Sequence, residues 1–290
     1  NNIIIIDYKK KNFNSLTKIK YKKFIDVNTF YKNLKKNIPN ETKCIFHQGA
    51  NSSTTETNKK KIYQQNYYSS VKLVDYCQSN KIKLIYASSA ATYGIKEKKF
   101  NENNWNLNPG NLYAETKFLL DMYVNKILSK KNFTQIVGLR YFNVYGPYEF
   151  HKNNMGSVML NFDKQIKKFN LIKVFEGNDG YKNGEQVRDF IHVDDCININ
   201  LFFYKKNISG IFNVGSGKKN TFNSVAKLVL NFHKKKNRIK YINFPKNLIG
   251  KYQSYTKANI KKLKKSGYRK KFISLKSGVN KYLKFLKNYN

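Results

Sequence analysis

The chain has 290 residues, of which 40% are apolar and 15% aromatic, and its formal net charge at pH 7 is +39. This apolar content excludes a disordered chain, and the length suits one enzyme-sized unit with a smaller lobe. The excess charge comes from lysines spread along the whole chain. A nucleic-acid footprint is concentrated on one element, so we expect no nucleic-acid partner.

The cysteines Cys44, Cys77 and Cys196 stand far apart in the sequence. Their spacing predicts neither a disulfide framework nor a zinc site, so we expect a reducing compartment and no metal. The run of isoleucines at residues 3–6 is too short for a membrane span or a signal-peptide core. We therefore expect a cytoplasmic protein with no membrane partner.

Short apolar runs alternate with amphipathic stretches through the first half, a pattern typical of parallel strands joined by crossover helices. Strands are expected at IIII (3–6), CIFH (44–47), KLIYAS (83–88) and QIVGLRYF (135–142). Helices are expected at about 62–79 and 114–128. The sequence therefore predicts an α/β fold with a doubly wound parallel sheet of the Rossmann type.

The pattern changes after Pro147, where a polar tract introduces a predicted smaller α/β lobe. The expected elements are a helix at 158–168, a strand at 172–177, a strand and helix at 188–204 capped by Asp194 or Asp195, a strand at 210–217, a helix from Thr221, a strand at 241–244, and helices at 258–265 and 275–289. We assign residues 1–145 to a nucleotide-binding domain, with 188–217 returning to it. Residues 146–187 and 218–290 form the expected substrate-binding lobe.

Tyr113 and Lys117 are four residues apart in a helical pattern, so both side chains project from one face. A nearby ammonium favours a phenolate, which makes the tyrosine a better base. By itself the pair is a weak signal, and an exposed surface contact is its more common explanation in a chain this rich in both residues. The strand before it ends in Ser88 and Ser89, which places their hydroxyls at the carboxyl edge of the sheet, where ligands of doubly wound folds bind. The alternative is that these serines only form a turn.

Several motifs occur in order along the chain: SSAATYG, YAETK, RYFNVYGP and RDFIHVDD. Together they resemble the extended short-chain dehydrogenase/reductase superfamily of nucleotide-sugar enzymes. Within it, the 6-epimerases of ADP-linked manno-heptose are the most similar group. That closer similarity rests on FHQGANSSTTET, YASSAATYG, IVGLRYFNVYGP followed by HK, GIFNVGSG and GKYQSYT, and it runs nearly end to end.

The resemblance implies an isomerase that takes ADP-heptose, oxidises carbon 6 transiently with a bound nicotinamide cofactor and reduces the ketone from its other face. It implies that Tyr113 is the phenolate acid/base, that Lys117 holds Tyr113 and the cofactor ribose, and that Ser89 steadies the sugar oxygen. It also implies that Lys152 is a second proton-transferring group. Two opposed acid/base groups suit a reaction on both faces of one carbon.

The resemblance assigns further contacts to both ligands. The cofactor-binding set is Asp7, Tyr8, Gln48, Gly49, Ala50, Asn51, Ser52, Gln65 and Val144, together with Lys117 and Lys152. The substrate-binding set is Asn143, Asn154, Asn161, Phe175, Glu176, Gly177, Asn178, Arg188 and Tyr252. Arg188 offers a planar guanidinium to a diphosphate. Its alternative role is a structural ion pair with Asp189 or Asp194.

Three positions depart from the family's cofactor contacts: Gln48 replaces a glutamate, Gln65 an asparagine and Val27 a lysine. Asp7 favours NAD through the ribose 2′-hydroxyl. The family often uses NADP, and the lysines at 9–11 would offset a 2′-phosphate. We expect NADP, with NAD as the alternative. The resemblance also implies a homo-oligomer, with a homopentamer as the first expectation.

Ala90 and Ala91 follow Ser89 where a dehydratase would need a carboxylate, so the sequence favours epimerisation. Two alternatives stay open: a UDP-hexose 4-epimerase, and a sugar-nucleotide-binding remnant that lacks a complete cofactor site. The isoleucines before Asp7 match the second strand of a nucleotide-binding fold, and no glycine-rich phosphate motif precedes them. We therefore expect an N-terminally truncated copy of a longer chain, without its first βα unit.

Overall fold

The computed structural model describes residues 2–8, 19–250 and 252–289, without the side chains of residues 153, 154 and 247. Its strands are β1 (Ile4–Asp7), β2 (Lys23–Asp26), β3 (Cys44–His47), β4 (Lys83–Ser89), β5 (Ile136–Tyr141), β6 (Asn143–Tyr145), β7 (Ile172–Phe175), β8 (Val187–Arg188), β9 (Phe190–His192), β10 (Gly210–Val214), β11 (Asn220–Thr221) and β12 (Ile239–Ile242). Its helices are α1 (Val27–Lys32), α2 (Leu34–Asn37), α3 (Lys59–Tyr63), α4 (Ser69–Ser79), α5 (Leu112–Leu128), α6 (Val158–Phe169), α7 (Val193–Lys205), α8 (Phe222–Phe232), α9 (Lys261–Lys265) and α10 (Leu275–Tyr289).

The central layer is a parallel sheet in two hydrogen-bonded pieces. One piece has the strand order β10-β5-β4-β3, and the other pairs β1 with β2. Both pieces pack on the same apolar cluster, in which Ile4 and Ile25 share a core with Leu84, Leu73 and Val124. Strands with helices on both faces carry continuous apolar runs, which is why β5 is almost wholly buried and no residue of β4 is exposed. The predicted doubly wound parallel α/β fold is confirmed.

Helix α5 is positioned by the residue that caps its N-terminus and by its buried face. Asn111 caps it, because the Asn111 side chain accepts a hydrogen bond of 2.9 Å from the Ala114 backbone N–H. Such a cap stabilises a helix by about 1 kcal/mol. Leu120 and Val124 pack into the cluster beneath β4, so the first turn of α5 lies against the end of that strand.

A second layered unit follows the central sheet in sequence. Here β7 pairs with β12 in parallel, β8 with β11 antiparallel, and β6 with β9 in parallel. Helices α6, α8 and α10 enclose a separate apolar cluster that includes Met159, Val225, Val229, Val279 and Leu283. Between these elements the chain returns to the first unit, because β10 pairs with β5 and α7 packs on their shared cluster.

Some elements differ from the sequence-based predictions. Helix α7 begins at Val193 and is capped by His192, so the predicted cap at Asp194 or Asp195 is wrong. Both aspartates lie in the first turn instead, where carboxylates favour the positive end of the helix. The helix predicted at 258–265 begins only at Lys261, and the strand predicted at 241–244 lies at Ile239–Ile242.

The segment from β2 to α2 was not predicted, because lysines and asparagines interrupt its short apolar runs. Its few apolar side chains, Ile25, Phe30 and Leu34, nevertheless reach the core. No helix in the described ranges has the length and apolar character needed to cross a bilayer.

Candidate active site

Three of the predicted catalytic residues meet where β4 ends and α5 begins. Ser89 is the last residue of β4, and its hydroxyl lies beside the Tyr113 phenol, close enough to act on the pKa of that phenol. Lys117 follows one turn after Tyr113 on α5, and its Nζ donates to the Ala87 carbonyl oxygen at 2.7 Å. The strand end thus holds a hydroxyl, a phenol and an ammonium within one small region.

Burial controls the protonation of this cluster. It raises the pKa of Tyr113, and the hydrogen bond from Ser89 opposes this rise. It also lowers the pKa of Lys117 to about 8, against the opposing negative charge of Asp121. Lys117 is not among the groups that shift the pKa of Tyr113, and its ammonium is bonded to a backbone carbonyl, so the expected lowering of that pKa by Lys117 stays a prediction.

Predicted cofactor residues gather at the carboxyl ends of β1 and β3. Asp7 accepts a hydrogen bond of 2.7 Å from the Tyr8 backbone N–H. Asn51 donates to the Gln65 side-chain oxygen at 3.0 Å, and Gln65 donates to the Tyr8 phenol at 3.4 Å. Gly49, Ala50 and Ser52 are exposed in the loop after β3, and nothing lies within 4 Å of a Cβ built on Gly49.

Two other predicted cofactor residues contact neighbouring elements, Gln48 as an exposed side chain and Val144 as a half-buried one. Gln48 accepts a hydrogen bond of 2.9 Å from the Tyr141 phenol and donates to Asn200 at 3.3 Å. Val144 lies half-buried on β6 against the cluster between β5 and α7. The carboxylate, amide and hydroxyl groups at this edge suit the ribose hydroxyls and amide of a nicotinamide dinucleotide. The lysines at 9–11 lie outside the described residues.

The predicted substrate residues include a buried stack around Arg188. The Arg188 guanidinium carbon lies 4.6 Å from the Tyr252 ring centroid and 5.5 Å from that of Phe222. The Phe244 ring then contacts both Tyr252, at 5.2 Å, and Phe175, at 5.6 Å. This chain of contacts brings Arg188, Tyr252 and Phe175 together, with Arg188 only 7% exposed.

Arg188 does not form the structural ion pair considered from the sequence. Among the described residues no carboxylate lies within ion-pair distance of its guanidinium. Asp189 instead accepts hydrogen bonds from the backbone N–H groups of Ser216, Gly217 and Ala258, and Asp194 pairs with Lys281. A buried cation without a counter-ion is costly, which makes Arg188 a candidate for binding an anionic ligand.

The loop after β7 holds three more predicted substrate residues. Glu176 is half-buried, and a Cβ on Gly177 would lie 2.1 Å from the Tyr181 carbonyl oxygen, so only glycine fits there. The side-chain nitrogen of Asn178 is buried without a hydrogen-bond partner. An unsatisfied buried donor in this loop favours a ligand contact.

Other predicted residues are less closely integrated with the cluster. Asn143 donates to Thr256 at 3.1 Å, and Asn161 on α6 donates to the Gly156 carbonyl at 3.1 Å. Lys152 is exposed on a 3₁₀ turn, Phe150–Met155, and the described contacts do not join it to Tyr113. The side chain of Asn154 lies outside the described residues.

The sequence interpretation missed two fully buried charges next to the cluster. Asp121 follows Lys117 by one turn of α5 and forms a salt bridge of 2.7 Å with Arg140 of β5. The spacing of Tyr113, Lys117 and Asp121, four residues apart in each step, was the available signal. In the described part of the chain, no group of three or more His, Cys, Asp or Glu side chains is arranged to hold a metal ion.

Known proteins resemble this chain over most of its length. The model of the NAD dependent epimerase/dehydratase family matches residues 1–215. The ADP-L-glycero-D-manno-heptose-6-epimerase of Brachyspira hyodysenteriae is 41% identical, over 98% of this chain and 89% of the relative. The crystal structure of the Helicobacter pylori ADP-L-glycero-D-manno-heptose-6-epimerase is 30% identical, covers 99% of this chain and 88% of its own, and superposes with a TM-score of 0.84.

A more distant structure shares the fold alone. The UDP-glucose 4-epimerase of Thermotoga maritima, solved with UDP-glucose, is 21% identical over 99% of this chain and 91% of its own, with a TM-score of 0.82. The sheet order, the Ser89–Tyr113–Lys117 cluster and the family match agree with one another. The chain belongs to the NAD dependent epimerase/dehydratase family.

Proposed function

We propose that this protein is an ADP-L-glycero-D-manno-heptose 6-epimerase, which interconverts the D-glycero and L-glycero forms of ADP-manno-heptose and supplies the heptose of lipopolysaccharide. One observation carries the proposal. Ser89, Tyr113 and Lys117 meet at the carboxyl end of β4 in a chain 41% identical, over 98% of its length, to a relative of that name.

In the proposed reaction, Tyr113 exchanges a proton with the hydroxyl on carbon 6 of the heptose. A bound nicotinamide supplies the redox chemistry, by accepting a hydride from carbon 6 and returning it. Ser89 is proposed to hold the same oxygen through its hydroxyl, which lies beside the Tyr113 phenol. Lys117 favours the phenolate by its positive charge and offers a donor to a ribose hydroxyl.

Lys152 is the proposed second acid/base, acting on the face of carbon 6 opposite to Tyr113. Its turn is held at both ends. Glu149 accepts hydrogen bonds from the Ser157 backbone N–H at 2.8 Å and from its hydroxyl, while the Phe150 ring stacks on Tyr289 at 5.0 Å. The exposed Lys152 side chain therefore has a fixed base from which to reach a bound sugar.

The proposed diphosphate contact is Arg188, with Tyr252, Phe175 and Asn178 around the nucleotide. A buried guanidinium without a carboxylate partner gains most from a doubly charged phosphate group, because its planar fork can make two parallel hydrogen bonds. Asn143, Asn154, Asn161, Glu176 and Gly177 complete the proposed substrate set.

We also propose that the nucleotide-binding domain ends at residue 145 and that residues 188–217 return to it. The pairing of β10 with β5 supports this division.

For the cofactor we propose NADP rather than NAD, held by Asp7, Tyr8, residues 48–52, Gln65 and Val144. The lysines at 9–11 favour a 2′-phosphate, whereas the Asp7 carboxylate favours a free 2′-hydroxyl. Titrating the purified protein with each dinucleotide by calorimetry discriminates the two. We also propose that the protein is a homo-oligomer, with a homopentamer as the first expectation. Light scattering measures its molar mass in solution directly.

The direct test of function is to incubate the protein with ADP-D-glycero-β-D-manno-heptose and NADP and to follow the sugar by NMR. The expected result is a mixture of the two carbon-6 epimers with the wild-type protein. With Tyr113→Phe, only the D-glycero starting sugar is expected. A UDP-galactose reaction runs in parallel. Turnover of UDP-galactose alone would overturn the proposal in favour of a 4-epimerase.

A further inference from the structure

Asp121 is a fully buried carboxylate that the proposed reaction does not use. Its Oδ1 accepts a hydrogen bond of 2.8 Å from the Tyr86 phenol. Its Oδ2 accepts from the Ser88 hydroxyl at 2.8 Å and from Arg140 Nε at 2.7 Å. Both oxygens are satisfied in a region without solvent, so this carboxylate is part of a buried polar network rather than a surface charge.

The network joins the end of β4 to α5. Tyr86 and Ser88 bond to Asp121 from the strand, and between them the Ala87 carbonyl accepts from Lys117. Three consecutive strand residues are thereby fixed to two positions one turn apart on the helix. Ser89 is the next residue along the chain, so its distance from Tyr113 depends on these bonds.

The same carboxylate also sets the charge around Lys117. Lys117 is only 2% exposed, and burial lowers its pKa to about 8. The negative charge of Asp121 raises the pKa of Lys117 and so opposes burial. Without that charge the ammonium would be lost at a lower pH, since desolvation would act unopposed.

The other titratable groups facing Lys117 do not provide a negative charge. One is His47 of β3, whose pKa is lowered to about 3 by burial and by the charge of Lys117. Two are the phenols of Tyr86 and Tyr113, whose pKa values are raised by burial. The last is Arg140, whose cation is paired with Asp121. Among the described residues around Lys117, Asp121 is therefore the group whose charge favours the ammonium.

We propose that Asp121 is a positioning residue for the acid/base pair: its bonds to Tyr86, Ser88 and Arg140 fix the end of β4 against α5, so that Ser89 meets Tyr113. Its negative charge, one helical turn from Lys117, also favours the Lys117 ammonium. The proposal rests on the proposed function only in treating Tyr113 and Lys117 as the reacting pair. It assigns Asp121 no contact with substrate or cofactor.

The test compares the pH dependence of kcat for the wild-type protein and Asp121→Asn, which removes the charge and keeps the shape. The expected result is that the alkaline limb of the profile moves down by about one pH unit or more, because an opposite charge one helical turn away shifts a neighbour's pKa by about that much. Asp121→Glu, which keeps a carboxylate, is expected to restore the alkaline limb.

Two further variants separate this effect from a loss of folding. Asp121→Asn leaves Arg140 as an unpaired buried cation, so Asp121→Asn combined with Arg140→Met removes both charges and is expected to show the same shift. Asp163→Asn is the matched control, because Asp163 is also buried and paired, but with Lys167 and His233 of the second unit. It is expected to lower the melting temperature and leave the alkaline limb in place.

A second readout needs no substrate. Trace acetylation with acetic anhydride across a pH series, read on the peptide that contains Lys117, reports the titration of that amine. Its midpoint is expected to fall in Asp121→Asn and in the Asp121→Asn/Arg140→Met double variant, and to stay unchanged in Asp163→Asn. An unchanged midpoint and limb in a folded variant would overturn the proposal, even if Tyr113→Phe is inactive. Wild-type protein without activity on ADP-heptose, but with a lowered Lys117 midpoint in the variants, would contradict the proposed function and leave the role of Asp121 supported.

Discussion

The two halves of the candidate site are held by different kinds of contact. At the central sheet, Ser89, Tyr113 and Lys117 are fixed through buried hydrogen bonds between β4 and α5. In the second unit, Lys152 stands on an exposed turn, and Arg188 is held largely by aromatic rings. Buried hydrogen bonds fix the orientation of a side chain, whereas contacts with aromatic rings fix its position but allow its orientation to vary. We therefore expect the first half to control chemistry and the second half to adapt to the substrate.

The largest effect should come from Tyr113→Phe. Without the phenolic hydroxyl there is no proton transfer at carbon 6, and kcat is expected to fall by about a thousandfold, within the range for loss of a general acid/base. NMR of the sugar in samples quenched at successive times measures kcat. Tyr67→Phe is the control on a neighbouring half-buried ring. Comparable loss in both variants would contradict a special role for Tyr113.

Lys152→Met should be the next most damaging change. It removes the proposed second acid/base, so kcat is expected to fall by about a hundredfold with the fold intact. Lys168→Met serves as the control, because Lys168 is another exposed lysine of the second unit, on α6. If the two variants retain equal activity, Lys152 has no part in the chemistry.

Arg188→Lys should affect binding more than chemistry. A lysine keeps the charge but loses the planar fork and the stacking on Tyr252, so KM is expected to rise about tenfold while kcat changes little. Steady-state kinetics separate the two constants, and Arg238→Lys is the control. A fall in kcat with KM unchanged would place Arg188 in the catalytic half.

Tyr289→Ala should have the smallest effect. It removes the ring that stacks on Phe150 beside the Lys152 turn, a contact worth about 1 kcal/mol, so a loss in kcat of about fivefold is expected. The matched change Tyr204→Ala removes a partly exposed ring on α7. Equal losses in these two variants would show that the α10 ring has no specific effect on the turn.

The first half of the site was predictable from sequence because its signals are local. The run at 83–88 and the helix around Tyr113 have clear apolar periodicity, and the spacing of Tyr113 and Lys117 alone places both side chains on one face. The helix predicted at 275–289 likewise has those bounds in the structure. Local patterns of this kind depend only on backbone geometry.

The second half was harder, because its contacts join residues far apart in sequence. No spacing rule places Phe244 between Phe175 and Tyr252. Nor does any spacing rule show that Asp189 bonds to the Ser216 backbone instead of pairing with Arg188. The raised pKa of Tyr113 was also missed, because the sequence gives the neighbour that would lower it but not the degree of burial that raises it. Tertiary burial decides both results.

The proposed reaction is a transient oxidation at carbon 6 within one active site. The most direct test is to supply ADP-D-glycero-β-D-manno-heptose carrying deuterium at carbon 6, in ordinary water, and to examine the product by NMR and mass spectrometry. The account predicts that the L-glycero product retains the deuterium at carbon 6, because the same hydride is removed and returned. Replacement of the deuterium by solvent hydrogen during turnover would contradict it.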